Sequence, residues 1–202
     1  MQEGLISINT QSEEGLKKLV QEIDPTLNFI KDQHPDGATC RTLLVDQNGA
    51  KRILKVRAIS SNIWDDTYFY YEIHALRRAS ERNLTNVTHL IAEYSTDRFH
   101  AILKSYAEGT PCNTLDNDAL LKDKGFIKKL DALYLQLHLA GIAKVHFQPR
   151  KFVIGANDEL TLVDLSTCIV NTEAGIALFA QEMRADSRFI SRLEKNAKKN
   201  AA

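Results

Sequence analysis

Apolar positions along this chain change period several times, and each change marks an expected element. Over residues 13–31, EEGLKKLVQEIDPTLNFIK, Leu16, Leu19, Val20 and Ile23 recur at helical spacing until Pro25 interrupts. The next stretch, TCRTLLVDQNGAKRILKVRAI, holds two strand-like runs joined at Asn48-Gly49. That dipeptide favours a two-residue hairpin, because both positions tolerate positive φ. From 65 to 82 the period turns helical, which places Tyr68, Tyr71, Ala75 and Leu76 on an apolar face and Arg77, Arg78 and Arg82 in solvent. VTHLIAEY (87–94) and FHAILKSY (99–106) read as two further strands, and EGTPCN breaks the pattern.

Beyond that joint, near 107–114, the chain is mostly helical. FIKKLDALYLQLHLAG (126–141) is a long amphipathic helix with Gly141 as its C-terminal cap. It leads into KVHFQPRKFVIGANDELTLVDLS (144–166), where two short apolar runs flank a polar loop, with His146 before them and Asp164 after. A helical tail runs from about Thr172 to the lysine-rich KNAKKNAA.

Composition narrows the field without naming a function. With 202 residues, 44% hydrophobic and 26% charged, the chain suits a globular protein of one domain or two small lobes. Lys plus Arg total 26, equal to Asp plus Glu, and this balance argues against a chain-wide nucleic-acid or membrane-surface role. Cys40, Cys112 and Cys168 are odd in number and widely spaced, so neither a disulfide framework nor a zinc site is indicated. Reduced thiols, no apolar run near the ~18 residues of a membrane span and no basic-then-apolar leader pattern together suggest a cytoplasmic protein. His34, His74, His89, His100 and His138 show no metal-ligand spacing.

The order of these pieces resembles the protein-kinase-like fold. ILKVRA carries a strand lysine, Lys55, and YYEIHALRRA carries an acid, Glu72, on the following helix. In that family such a pair holds the α- and β-phosphates of ATP. ILKSYAEGTP is similar to the hinge between lobes, LHLAGIAKVHFQPRKFVI to the end of the αE helix with the catalytic loop, and LTLVDLS to the D-F-G segment. Setting Asp164 on the D-F-G aspartate, a magnesium ligand, puts His146 eighteen residues earlier on the catalytic-loop aspartate and Lys151 on the metal-binding asparagine. The resemblance covers roughly 36–170 and implies a two-lobed α+β fold. On this resemblance residues 1–106 are expected to form an N-terminal lobe, an antiparallel sheet plus an αC-like helix, and 107–202 a reduced helical C-terminal lobe with the catalytic-loop hairpin. Small size and the loop FQPRKFVI are similar to the bacterial lipopolysaccharide-kinase-like group, the Kdo and heptose kinases.

Departures from the pattern bear on chemistry. Only Gly37 stands where a glycine-rich phosphate loop belongs, Lys104 stands at the gatekeeper position, and Leu165 and Ser166 follow Asp164. A neutral imidazole can accept a proton, so His146 is compatible with a base. Lys151 would repel a second magnesium ion, although it could itself neutralise phosphate. The resemblance therefore implies an ATP and Mg²⁺ cleft with Lys55, Glu72 and Asp164 on the nucleotide, Asp164 on the metal, and His146 and Lys151 near the reaction. Three functions stay open: a weak or inactive pseudokinase serving as a regulatory or binding module, an active phosphotransferase acting on a glycan-like or small hydroxyl acceptor, and a scaffold without nucleotide. Each site residue also has a plainer alternative. Lys55 could be a solvated strand residue, Glu72 a surface helix-pair residue, Asp164 a loop cap, and His146 a structural histidine.

Overall fold

The computed structural model describes residues 12–33, 40–59 and 63–199. Its architecture is α+β, with antiparallel sheets and helices in two compact units. One comprises Met1–Phe69 with Leu90–Tyr106, the other Tyr70–His89 with Ala107–Ala202. The phosphate-loop comparison at Gly37 and the histidine at 34 lie outside the described residues.

The first unit is a five-stranded sheet backed by a helix. Helix α1 (Glu13–Ile23) starts at Ser12, whose hydroxyl accepts from the Gly15 amide at 3.3 Å. Strands β1 (Leu27–Asp32), β2 (Arg41–Gln47), β3 (Ala50–Ala58), β4 (Leu90–Ser95) and β5 (Phe99–Ser105) pair in the order β1-β2-β3-β5-β4. The Asn48-Gly49 hairpin forms as its residues dictate, with φ of 55° and 84°. Alternation on β2 and β3 points Leu43, Val45, Leu54 and Val56 at Leu16, Leu19 and Val20 of α1, which makes this unit's core. Asp24, just past α1, accepts from the Thr26 hydroxyl at 2.7 Å, the Thr26 amide at 2.8 Å and the Tyr94 hydroxyl at 2.7 Å.

Helix α2 (Ile63–Glu81) begins in the first unit and continues into the second from Tyr70. Its apolar stripe differs from the expected one. Tyr68 is 55% exposed, whereas Phe69, Ile73 and Leu76 are buried beside Ala75. Ala75 and Leu76 lie on the buried face as expected, and Phe69, Glu72 and Ile73 complete it at i, i+3 and i+4, which turns Tyr68 outward. Arg78 is likewise not a solvated residue: its Nε donates to the Ala140 carbonyl at 2.8 Å.

In the second unit, β6 (Thr110–Pro111) is followed by α3 (Asn117–Leu120) and α4 (Lys124–Leu139). Asp123 caps α4, accepting from Gly125 and Phe126 amides at 2.6 and 3.2 Å. Next come β7 (Ile142–Ala143), β8 (Phe152–Ile154), β9 (Leu160–Leu162), β10 (Ile169–Val170), α5 (Asn171–Ala174) and α6 (Ile176–Lys199). β8 and β9 form the small hairpin, with β6 on the outer edge of β8, and β7 pairs with β10. Phe126, Ile127, Leu130, Leu133, Tyr134 and Leu137 line the buried side of α4. Among the described residues no helix is long and apolar enough to cross a membrane.

Candidate functional site

The hairpin register fixes the centre of the site. Phe152 pairs with Leu162, and one step further the Val163 amide donates to the Lys151 carbonyl at 2.8 Å. Lys151 thus leaves the 3₁₀ turn Pro149–Lys151 opposite the strand end that runs into Asp164. Residues 164–168 then turn tightly. Asp164 Oδ1 accepts from the Ser166 amide at 2.9 Å, and the Cys168 amide donates to the Leu165 carbonyl at 2.9 Å. The Lys151 ammonium, only 1% exposed as a residue, donates to Thr167 Oγ1 at 2.7 Å within that same turn.

Charge gathers around Cys168. Its thiol is fully buried, and burial pushes its pKa well up. Lys151 acts the other way, while Asp164, Asp186 and Glu72 each raise it further. The thiol therefore lies in the field of three carboxylates and one ammonium, all from the second unit. Glu72 is 0% exposed, which removes the surface helix-pair reading of this residue.

Upstream, the loop containing His146 is held in an unusual backbone shape. Gly141, Lys144 and His146 have φ of 81°, 63° and 38°. Left-handed conformations at the two non-glycine residues cost on the order of 1–2 kcal/mol each, so neighbouring contacts must impose them. Asp186 of α6 is the neighbour. Its carboxylate accepts from the Lys144 amide at 2.9 Å, from the Val145 amide at 3.2 Å and from His138 Nε2 at 3.0 Å. Phe147 adds an apolar anchor, stacking on Phe152 and Phe189 with ring centroids 5.3 and 5.8 Å away. His146 itself is exposed, and among the described residues its ring has no hydrogen-bond partner. Beyond it, Asn113, Leu115, Asn117, Gln148, Pro149 and Arg150 line a shallow depression of about 370 Å³.

Asp186 and Thr167 are not singled out in the sequence, and His138 is noted there only for lacking metal-ligand spacing. The signal for Asp186 was present: with Ile190, Leu193 and Ala197 it completes a buried stripe at helical spacing, where a carboxylate has to be hydrogen-bonded. His138 sits four residues after buried Tyr134 on α4 in the same way.

Lys55 belongs to the first unit. It lies on β3, opposite Thr42 and Ile102 and on the sheet face away from α1. Arg57 and Ile102 on that face are buried, and Lys55 is half-buried, so the face is not simply solvated. Lys104 on β5 is also buried, at 4% exposure.

Among the described residues no group of three or more His, Cys, Asp or Glu side chains is placed to hold a metal. The donor set around Asp164 does not fit a divalent pair. One of its oxygens accepts from the Ser166 amide, and the buried Lys151 side chain is bonded to Thr167 of the same turn. No protein-family model matches this chain, and no curated protein matches it.

Proposed function

We propose that this chain is a kinase-fold protein that holds a nucleotide and turns it over weakly or not at all, serving as a regulatory or binding module. What carries the reading is Lys151: a buried ammonium, fixed on Thr167, at the position where a phosphotransferase needs a metal-binding asparagine. Element order supports the kinase-fold part. A lysine strand, a helix bearing a buried glutamate, two more strands, a long helix, a strained loop and a hairpin ending on an aspartate follow one another as the resemblance requires. Lys55, Glu72 and Asp164 are the nucleotide contacts in this reading, and His146 stands near the acceptor side. The two-lobed arrangement and the kinship with the lipopolysaccharide-kinase-like group belong to the same proposal.

A phosphotransferase with a glycan-like or small hydroxyl acceptor is the second reading. The depression beside the His146 loop favours it, because Asn113, Asn117, Gln148 and Arg150 set a few polar groups in an otherwise mostly apolar lining next to that loop. Thermal unfolding with ATP tests the first reading. Ligand at a hundredfold excess over Kd adds about 2.7 kcal/mol of apparent stability. An unchanged Tm at saturating ATP, with and without magnesium, sinks the nucleotide. Steady magnesium-dependent ATP consumption that Asp164→Ala abolishes replaces the first reading with the second.

A further inference from the structure

We infer that the outer face of α6 is a docking surface for anionic lipid headgroups, so that the second unit rests on a negatively charged membrane surface without entering it. The inference is independent of the nucleotide reading and goes beyond it.

The sequence of α6 keeps two faces apart. Each residue of an α-helix advances it by about 100°. On that wheel Asp186, Ile190, Leu193 and Ala197 fall within about 60° of one another, and all four are buried. Arg184, Arg188, Arg192, Lys195 and Lys198 are exposed and occupy an arc of about 120° on the opposite side. The other positions in that arc, Ala177, Ala180, Gln181, Ser191 and Lys199, include no acid. Five cations therefore follow one ridge about 21 Å long.

Among the described residues none of the five side chains makes an ion pair. Charge on the whole chain balances, 26 against 26, so the ridge is a local concentration and not the mark of a basic protein. Arg184, Arg188 and Arg192 stand four residues apart, a spacing at which like charges weaken a helix. An anionic partner offsets that repulsion.

The shape of the face selects the partner. The apolar side of α6 is already used in the unit's own core, so the helix cannot sink into a bilayer as a free amphipathic helix does, and contact stays at headgroup level. Long, flexible cations within one arc can all reach a plane of lipid phosphates. A nucleic-acid groove instead sets phosphates along both flanks of an entering helix. Ile176 is 84% exposed and Leu178 44%, and at the start of α6 they flank the ridge, about 100° to either side of its centre line. At a membrane these two meet the boundary between headgroups and acyl chains, whereas the phosphate edge of a nucleic acid offers them nothing.

The test is flotation of the full chain with vesicles of phosphatidylcholine, pure or with a third of it replaced by phosphatidylserine. At about 0.1 M salt, binding to the anionic vesicles is expected to exceed binding to the neutral ones by about tenfold or more, and at about 1 M to fall to the neutral level. Arg188→Gln with Arg192→Gln is expected to weaken the anionic binding by about tenfold or more, since each cation near such a surface contributes about fivefold. Lys18→Gln with Lys31→Gln removes the same net charge from exposed positions of the first unit and is expected to change binding by less than about twofold. Equal binding to both vesicles, binding to neither, binding that survives high salt, or equal loss in the two double variants overturns the inference. A single-stranded oligonucleotide that displaces the protein from anionic vesicles at equal phosphate concentration assigns the ridge to nucleic acid and overturns the lipid partner. Circular dichroism checks that the variants fold. Should the α6 variant not fold, the comparison of neutral with anionic vesicles and its salt dependence decide alone.

Discussion

Asp186 is the residue on which the loop geometry depends. It is 5% exposed and accepts from two backbone amides and one imidazole, so deleting it strands three buried or half-buried donors at once. Asp186→Ala should lower stability by about 3 kcal/mol or more, read as a lower urea midpoint, whereas His138→Ala removes one donor and should cost about 1–2 kcal/mol. Equal costs would mean that the amide bonds contribute little. Asp24 gives a pH-dependent counterpart in the first unit. The Thr26 hydroxyl, followed by the Thr26 amide and Tyr94, holds its carboxyl below the ordinary value of 3.8, with burial opposing. A carboxyl whose pKa is lowered by folding contributes stability that is complete above the unfolded value and lost as pH falls through the folded one. Asp24→Asn should therefore unfold at slightly lower urea than wild type at neutral pH, by a few tenths of a kcal/mol given solvent screening. The gap should close as pH falls below the ordinary value of 3.8 and through the lowered pKa. A gap unchanged in acid would assign the loss to something other than the charge.

At the scale of elements, two glycines separate backbone conformation from space. Gly49 has φ of 84° and nothing near the position its Cβ would take, so Gly49→Ala should cost only the left-handed strain, about 1–2 kcal/mol. Gly109 has φ of 142°, and a Cβ there would fall on the Ile154 carbonyl, where β6 runs along β8. Gly109→Ala should cost clearly more than Gly49→Ala in the same denaturation series. The difference between the two measures the steric part. These elements also show where sequence patterns suffice. The β2–β3 hairpin and α4 were legible because each keeps one strict period over many residues. β1 was not, since its register shifts between Phe29 and Lys31, which leaves Ile30 46% exposed and erases the alternation. β6, β7 and β10 have two residues each, too few to show any period. The candidate site was half legible. Hairpin length relates Lys151 to Asp164 on paper, but the burial of Lys151 and Glu72 and the grip of Asp186 on residues 144–145 arise from packing between distant segments.

For the whole molecule, its thiols offer a report on each unit. Cys112 and Cys168 are buried in the second unit, and burial alone pushes the Cys112 thiol up to about 11, so near pH 8 it stays protonated. Cys40, half-buried, belongs to the first unit. Titration with a disulfide reagent along a urea gradient should release Cys112 and Cys168 together at the second unit's transition. Separate release of these two would show that the second unit does not unfold as one. The Asp186 carboxylate has a consequence for the order of events during synthesis. The amides it fixes precede it by about forty residues. While the ribosome is still making α6, residues 144–146 therefore lack the group that sets their shape. A nascent chain stopped short of Asp186 can have its sheet and its long helix in place, yet the segment carrying His146 acquires its final form only when α6 has emerged.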